Sequence, residues 1–330
     1  MSPKFWLQPL GRALGKNEVN VAEMVASHGE VREGFLLRTG FTSVFHVEGE
    51  TSGLDLALQA LEGIDKTWLN EHVDTLIYLT STGNRNAPGN GHLLHGALGL
   101  APQTLVIDLN DACTGFIRSL ILSESLIHTG RSKCILVVLS DTYSKLYEES
   151  NLKVSPLFSD GASAALISKE LHDVPGATFL PRKWEVLGTS IASEGSLANE
   201  LTVSSGSSTF PMGELEMNGA GVFNFVVKHL KNTVDQALSE ATLPHSEVSK
   251  WFVHQGSRAV VEAVSKTLDL DADEQFAAKS YGNVVGSAIP FQLMDEDLSH
   301  TEPETKIFLV AFGVGLTITG IVLSQEILKR

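Results

Sequence analysis

The stretch TLVIDLNDACTGFIRSLILSESLIHTG (residues 104–130) contains the transition on which the fold prediction rests. Its first part, TLVIDL, is a short apolar run without polar alternation, which is typical of a strand buried on both faces. Its second part places Phe116, Leu120 and Ile127 at helical spacing, which is typical of an amphipathic helix. Cys113, one of two cysteines in the 330-residue chain, stands where the strand gives way to the helix.

The same alternation of apolar runs and helical periodicities extends along the chain and predicts an α/β protein with a mostly parallel sheet. Strands are predicted at 73–80, 104–109, 133–140, 162–168, 250–254, 306–312 and 316–324. Amphipathic helices are predicted at 52–63, 113–130, 221–238 and 257–270. The segment 193–211 is rich in small and polar residues and is predicted to be a loop.

The chain also resembles two similar halves, each ending in a pair of apolar strands around glycines. In each half an early strand ends at a polar residue, Cys113 in the first and His254 in the second. We therefore expect an N-terminal half over residues 1–168 that carries the cysteine. A C-terminal half over residues 169–330 is expected to carry His254 and Asn283.

The bulk composition is that of a globular protein with a formal net charge of −15 at pH 7. Such acidity disfavours general binding to nucleic acid or to an anionic membrane, because basic residues are needed to neutralise phosphates. The sequence contains no apolar run of about 18 residues and no signal peptide, so no membrane span is expected and the cytoplasm is the expected location. Two cysteines are too few for a disulfide framework or a four-cysteine zinc site.

The position of Cys113 suggests a reactive thiol. At a helix N-terminus it would meet unpaired backbone N–H groups and the positive end of the helix dipole, which lower a thiol pKa and make the sulfur nucleophilic. The same N–H groups could hold an oxyanion beside the sulfur. The alternative is that Cys113 is a small apolar residue in a strand–helix joint, since free cysteines are usually buried.

A catalytic cysteine usually needs a histidine partner, and His254 is the strongest candidate among the eleven histidines. It ends the apolar run KWFVH, and the carboxyl ends of strands face the ligand crevice in α/β sheets. Asn283 lies in a glycine-flanked turn that by itself suggests only a backbone requirement. His92 and His95 lack a third ligand nearby, so no metal site is expected. The segment FGVGLT (312–317) lacks the lysine of a phosphate loop but could supply an N–H group to an oxyanion hole.

Five motifs together resemble those of the thiolase superfamily, and within it those of β-ketoacyl-acyl-carrier-protein synthase III, the initiating condensing enzyme. They are DACTGF (111–116), FSDGASAALI (158–167), FVHQGS (252–257), YGNVVGSAIP (281–290) and AFGVGLTITGIVL (311–323). RTGF (38–41) is similar to an early motif of the same family. The resemblance runs from about residue 35 to the C-terminus and implies the five-layered αβαβα thiolase fold, built from two pseudo-repeated halves and assembled as a homodimer.

For this chain the resemblance implies that Cys113 is the acyl-accepting nucleophile. His254 and Asn283 would hydrogen-bond the malonyl thioester carbonyl and stabilise the enolate formed on decarboxylation. The backbone N–H groups of Cys113 and Val314 would form the oxyanion hole. No metal or redox cofactor is implied, and the substrates would be an acyl-CoA and malonyl-CoA or a malonyl acyl carrier protein. Two alternatives stay open: a non-decarboxylating acyltransferase on the same fold, and a non-catalytic partner subunit of a homologous synthase.

Several positions depart from the family pattern. Asp111, two residues before the cysteine, would oppose thiol ionisation if its carboxylate pointed inward. Gly34 stands where the family has a tryptophan that helps hold the adenine of coenzyme A, whereas Arg38 is kept as a substrate-binding residue. Ala87 replaces a bulky aromatic residue of some members, which suggests room for a longer or bulkier acyl group.

The expected docking site for an acidic carrier protein is also altered. Lys266 matches a basic residue of the family, while Arg258, Lys228 and Lys231 could compensate for two basic residues that this chain lacks. Together with the other departures, this pattern suggests a condensing enzyme of fatty-acid or specialised, polyketide-like biosynthesis, and favours the specialised role.

Overall fold

The computed structural model describes residues 4–28, 34–204, 206–296 and 305–326. Its strands are β1 (Lys4–Leu14), β2 (Asn17–Asn20), β3 (Ser43–His46), β4 (Thr75–Leu79), β5 (Leu105–Leu109), β6 (Cys134–Asp141), β7 (Gly161–Ser168), β8 (Arg182–Ser193), β9 (Leu201–Val203), β10 (Leu215–Met217), β11 (Lys250–Val253), β12 (Lys306–Gly313) and β13 (Thr317–Glu326). Its α-helices are α1 (Val21–Ser27), α2 (Phe35–Thr39), α3 (Gly53–Ala60), α4 (Lys66–His72), α5 (Asn90–Leu98), α6 (Gly115–His128), α7 (Gly219–Glu240), α8 (Arg258–Leu268), α9 (Ala272–Gln275) and α10 (Ala288–Asp295). None of the helices in these ranges is long and apolar enough to cross a membrane.

Nine strands form one sheet in the order β11-β12-β13-β8-β1-β7-β6-β4-β5. The pairs β4–β5, β4–β6 and β11–β12 are parallel, and the other five neighbouring pairs are antiparallel. The α/β class is therefore confirmed, but the prediction of a mostly parallel sheet is wrong. For β12 and β13 the physical reason is the short connection, since residues 314–316 alone join them and a parallel pair needs a crossover of a dozen or more residues.

The helices and the sheet form five layers. The apolar sides of α6 and α10 pack in a central core between the two parts of the sheet. The α3, α4 and α5 helices cover the outer face of the β4–β6–β7 part, while α7 and α8 cover the outer face of the β11–β12–β13 part. Because strand side chains alternate between faces, β6 contributes Ile135, Val137 and Leu139 to the central core and Leu136 and Val138 to the outer one. The αβαβα fold expected from the resemblance is confirmed.

The two parts of the sheet meet along a short seam, where β1 pairs with β8 over the four residues from Lys4 to Leu7. The division between the two expected halves, at residues 168 and 169, falls in the chain between β7 and β8. These two strands lie on opposite sides of the seam. Sheet position does not support the expected equivalence of Cys113 and His254. In one part of the sheet β11 lies beside β12, and in the other part β4 lies beside β6, so β11 corresponds to β4. His254 follows β11, whereas Cys113 follows β5, the strand beyond β4 at the edge of the sheet.

Two segments contain more regular structure than their sequence suggests. The predicted loop at 193–211 is only partly a loop, because it contains a 3-10 turn, η3 (Gly195–Glu200), and the strand β9. The strand β9 pairs with β10 in a two-stranded hairpin. The N-terminal strand β1 was not predicted either, although it lies at the centre of the sheet.

The buried carboxylate of Asp160, in the FSDGASAALI motif, fastens three segments together. It accepts hydrogen bonds from the backbone N–H of Val47 at 2.7 Å and of Ser144 at 2.8 Å, and from the Ser144 hydroxyl. Its own backbone N–H donates to the carbonyl of Phe45 at 2.7 Å. The β2–β3 hairpin and the turn after β6 are thereby fixed to the start of β7.

We expect Asp160→Ala to lower the free energy of unfolding by about 3 kcal/mol, because it leaves the backbone N–H groups of Val47 and Ser144 without their acceptor. Urea unfolding followed by circular dichroism measures the change. The exposed Asp173→Ala is the matched control and should change the free energy of unfolding by less than about 0.5 kcal/mol. Equal effects of the two substitutions would contradict the anchoring role of Asp160.

Candidate active site

Cys113 lies in a tight turn between the edge strand and the central layer. The 3-10 turn η1 (Ala112–Thr114) follows the end of β5 and leads directly into α6. Two glycines let other segments close around this turn. A Cβ atom on Gly313 would lie 2.9 Å from the Cβ and 3.1 Å from the Sγ of Cys113, and one on Gly286 would lie 2.9 Å from the carbonyl oxygen of Ala112. These positions therefore require glycine if the cysteine is to keep its place.

His254 comes to the same place from the end of β11. Its backbone N–H donates to the carbonyl of Val310 at 2.9 Å, and its ring meets the Phe312 ring edge to face at 5.3 Å. The side chain is 2% exposed, and Nδ1 has no hydrogen-bond partner among the described residues. Burial lowers the pKa of His254 to about 3, so the imidazole is neutral at neutral pH. A neutral ring keeps one N–H donor and carries no charge.

Asn283 is held by hydrogen bonds on three sides. Its backbone N–H donates to Leu157 and its carbonyl accepts from Ser159, both at 2.9 Å. Its side-chain oxygen accepts from the backbone N–H of Val285 at 2.9 Å, and Val285 has a left-handed φ of 52°. Because the side-chain oxygen is engaged by the protein, the amide NH₂ group is the part of Asn283 that can donate to a ligand.

Cys113, His254 and Asn283 all line one cavity of about 120 Å³. The structure therefore brings together the three residues that the sequence singled out from distant segments. Most of the other lining side chains are apolar, and they include Leu157, Phe158, Leu201, Met217, Val222 and Phe312. The sequence did not indicate Leu201 or Met217 as site residues. Both belong to the β9–β10 hairpin, with Leu201 inside the predicted loop and Met217 just after it.

The expectation of a lowered thiol pKa at Cys113 is wrong. Burial, and to a smaller extent the charge of the nearby Asp141, raises the pKa of Cys113 to about 12, and only a backbone hydrogen bond acts in the other direction. The pKa of Asp141 is itself raised to about 7 by burial, against hydrogen bonds from Ser81, Thr82 and Thr80. Desolvation of the sulfur thus outweighs its position just before a helix.

Asp111 points away from the thiol. Its carboxylate pairs with the guanidinium of Arg118, in the first turn of α6. Burial raises the pKa of Asp111, while the charge of Arg118 lowers it. Asp111 is not among the groups that shift the pKa of Cys113.

None of the other predicted site residues is among those that line the Cys113 cavity, but Val314, predicted for the oxyanion hole, is next in the chain to one of them. It directly follows Gly313 of the cavity wall and packs partly buried against the core. Arg38 lies exposed on α2, whose neighbouring Leu36 and Leu37 line a separate groove of about 650 Å³. Ala87 is exposed on the loop before α5 and does not line the Cys113 cavity.

The predicted docking cations are mostly paired with carboxylates already. Arg258 pairs with Glu262 at 2.6 Å and with Asp273 at 2.7 Å. Lys228 pairs with Glu194, and Lys231 pairs with Asp235 at 2.7 Å. Lys266 lies exposed in the last turn of α8. The compensating cations therefore add little net positive charge to this surface. Across the described ranges, no group of three or more histidine, cysteine or acidic side chains could hold a metal ion.

Comparisons with known proteins point in one direction. The profile described as 3-Oxoacyl-[acyl-carrier-protein (ACP)] synthase III matches residues 107–188, which include Cys113. The profile of the C-terminal domain of the same enzyme matches residues 238–325, which include His254, Asn283 and Val314.

Whole-chain similarities agree with these profiles. The β-ketoacyl-[acyl-carrier-protein] synthase III of Fusobacterium nucleatum is 30% identical, over 85% of this chain and 86% of that protein. The crystal structure of the 3-oxoacyl-(acyl carrier protein) synthase III of Pseudomonas aeruginosa PAO1 matches with a TM-score of 0.82 and 25% identity, over 99% of both chains. The priming β-ketosynthase of the R1128 polyketide biosynthetic pathway shares the fold, with a TM-score of 0.79 and 22% identity over 99% of this chain and 98% of that chain.

The raised thiol pKa leads to a test with iodoacetamide. Because Cys113 has a pKa of about 12, its thiolate fraction should grow about tenfold per pH unit from about pH 7 to about pH 9, and its alkylation rate should follow. Mass spectrometry of the Cys113 peptide measures that rate, and Cys113→Ser gives the background from Cys134. A rate that levels off below about pH 8 would show a lowered pKa instead.

Proposed function

The chain belongs to the 3-oxoacyl-[acyl-carrier-protein] synthase III family of condensing enzymes, and we propose that it joins a Cys113-bound acyl group to a malonyl thioester by decarboxylating Claisen condensation. The observation that carries this proposal is the convergence of Cys113, His254 and Asn283 on one largely apolar cavity. Acyl transfer alone has less need of the asparagine, so the complete set favours condensation.

In the first step the sulfur of Cys113 attacks the carbonyl carbon of an acyl thioester. The carbonyl oxygen becomes an oxyanion, which accepts hydrogen bonds from the backbone N–H groups of Cys113 and Val314. The carbon–sulfur bond of the donor then breaks, and the departing thiol takes up the proton that Cys113 loses. Because no net charge is created, this step suits a site where burial disfavours the free thiolate.

In the second step the malonyl thioester loses CO₂. The electron pair of the breaking carbon–carbon bond moves into the thioester, and the enolate oxygen accepts hydrogen bonds from the His254 ring and the Asn283 amide. The low pKa of His254 keeps the ring neutral, so its N–H donor is not accompanied by a cation that would also hold the malonyl carboxylate. The apolar walls of the cavity further disfavour the localised carboxylate relative to CO₂.

In the third step the enolate carbon attacks the acyl group on Cys113. A carbon–carbon bond forms, the bond to sulfur breaks, and the sulfur takes up a proton from solvent water to give the resting thiol. The product is a β-ketoacyl thioester two carbons longer than the acyl donor. His254, Asn283 and the two backbone N–H groups thus each stabilise a charge that develops during the reaction.

The proposed substrates are an acyl-CoA and either malonyl-CoA or a malonyl acyl carrier protein, in the cytoplasm and with no metal or redox cofactor. A homodimer is proposed from the family and is supported by the edge strand β5, whose apolar residues are only partly covered. A division into two pseudo-repeated halves, 1–168 and 169–330, is also proposed. The second candidate function is acyl transfer from Cys113 to an alcohol, amine or thiol without decarboxylation.

Incubation with a panel of acyl-CoAs, followed by malonyl-CoA or malonyl carrier protein, tests the proposed reaction. We expect an acyl adduct on the Cys113 peptide, release of CO₂ on addition of the malonyl thioester, and a product two carbons longer. Cys134→Ala is the matched control and should retain the adduct. An adduct that only alcohols, amines or thiols discharge would favour the second candidate, and no adduct from any donor would favour a non-catalytic subunit.

The role of Asn283 leads to a separate prediction. Asn283→Ala removes one of the two donors to the enolate oxygen, so decarboxylation of malonyl-CoA should slow by about 100-fold. Self-acylation of Cys113 should fall far less, because it uses the other pair of donors. Radiolabelled CO₂ release and intact-protein mass spectrometry measure the two rates, with a thermal melt to confirm folding. Equal loss of both rates would contradict the assigned role.

Carrier docking can be separated from active-site chemistry by charge reversal on α8. Lys266→Glu should raise KM for a malonyl carrier protein about fivefold at low salt, while KM for malonyl-CoA stays unchanged. The matched control is Lys169→Glu, which makes the same charge change directly after the end of β7. This end of β7 pairs with the start of β6 and not with a segment of the active site. Steady-state kinetics with both donors measure the effect, and an unchanged KM for the carrier protein would rule out docking at Lys266.

A further inference from the structure

The buried amide side chain of Gln255, directly after His254, has no role in the reaction described above. The residue is 0% exposed. Its Nε2 donates to the carbonyl of Val253 at 2.8 Å and to that of Gln275 at 2.9 Å, and its Oε1 accepts from the backbone N–H of Ala278 at 3.2 Å. Both ends of the amide thus have partners, and a fully paired polar group in a buried site holds the segments around it in one arrangement.

This network continues to Asn283. The carbonyl of Ala278 accepts a hydrogen bond from the backbone N–H of Gly282 at 2.8 Å. Gly282 has a left-handed φ of 72° and leads directly into Asn283. The Gln255 amide therefore ties the main chain that carries His254 to the turn that carries Asn283.

The side chains of the two enolate donors make few bonds that would fix their spacing. Nδ1 of His254 has no hydrogen-bond partner among the described residues, so the ring is placed by its main chain and by the contact with Phe312. The side-chain oxygen of Asn283 accepts from Val285, which belongs to the same turn. The distance between the ring and the Asn283 amide consequently depends on how their two segments are joined, and Gln255 supplies a hydrogen-bonded link between them.

A second buried glutamine, Gln292 on α10, lacks this connection. It is 6% exposed, and its Nε2 donates to the same Val253 carbonyl at 3.0 Å and to the carbonyl of Ala288 at 2.9 Å. Its oxygen lies 3.4 Å from Nε2 of Gln255. The two glutamines thus share their burial and one acceptor, but Gln255 is the one that bonds to the segment leading into Asn283.

Resting on the proposed function, we propose that Gln255 is a positioning residue that sets the spacing between the two donors to the enolate oxygen, the His254 ring and the Asn283 amide. Two hydrogen bonds to one oxygen require both donors to lie within about 3 Å of it, so a small displacement of either donor weakens the pair. Gln255 does not line the cavity itself. The N–H groups of Cys113 and Val314, proposed for the oxyanion hole, make none of these bonds.

Comparing the two glutamines tests the proposal. Gln255→Met keeps an unbranched side chain but removes its hydrogen bonds, so decarboxylation of malonyl-CoA should slow about tenfold. Self-acylation of Cys113 should fall by less than about twofold, because it uses the other pair of donors. Gln292→Met is the matched control and should leave the ratio of the two rates unchanged. Thermal melts confirm that both variants fold, and equal changes of the ratio in both would overturn the inference.

A double substitution separates positioning from a general loss of structure. In the Asn283→Ala protein one donor is already missing, so the spacing between the donors no longer matters. Adding Gln255→Met should then slow decarboxylation by less than about a further twofold. A full further tenfold loss would show that Gln255 acts without Asn283 and would overturn the proposal.

Hydrogen exchange tests the link without any reaction. By mass spectrometry, backbone exchange in the peptide 277–285 should be faster in Gln255→Met than in the parent protein, and unchanged in Gln292→Met. Unchanged exchange in Gln255→Met would overturn the inference, while malonyl-CoA decarboxylation by the parent protein would still support the proposed function. Faster exchange in a protein that decarboxylates nothing would uphold the link between the two segments and overturn the condensing reaction.

Discussion

The close approach of three backbone segments at the Cys113 turn is the constraint on which the rest of the site depends. Gly286 faces the carbonyl of Ala112, and Gly313 faces the side chain of Cys113, each at a distance that leaves no room for a Cβ atom. Asn283 precedes Gly286 by three residues and Val314 follows Gly313. The glycines therefore fix the donors relative to the sulfur through the main chain, which is stiffer than a set of side-chain contacts.

The same constraint relates the two halves of the chain. The central helices α6 and α10 each follow a 3-10 turn, and each turn opens on a residue with a left-handed φ, 40° at Ala112 and 52° at Val285. Such values are uncommon for residues with a side chain. When the two 3-10 turns are aligned residue by residue, Cys113 corresponds to Gly286 and not to His254. The second half therefore has a glycine, with no side chain, where the two turns are in contact. This relation supports the proposal of two pseudo-repeated halves.

Much of the fold could be predicted from the sequence, because continuous apolar strands and glycine-bounded turns are local signals. The local signals were weaker for the site, where the position of Asn283 alone suggests only a backbone requirement and the resemblance to a known family singles the residue out. The strand β1 could not be predicted, since Pro9 and Gly11 argue against a central strand. They are tolerated because β8 pairs with β1 only as far as Leu7 and because Gly11 makes room for the carbonyl of Ala60. The raised pKa of the Cys113 thiol could not be predicted from the sequence either, because desolvation depends on packing between residues far apart in the chain.

The electrostatics of the site favour charge that appears only during reaction. The thiol is neutral because its pKa is about 12, and the imidazole is neutral because its pKa is about 3. A cation at this position would stabilise the malonyl carboxylate before reaction as well as the enolate after CO₂ is lost, and so would lower the barrier little. Neutral donors in an apolar cavity discriminate better, since they stabilise the enolate oxygen without holding the carboxylate. The burial that makes Cys113 a poor acid is therefore the same property that suits the cavity to the proposed decarboxylation.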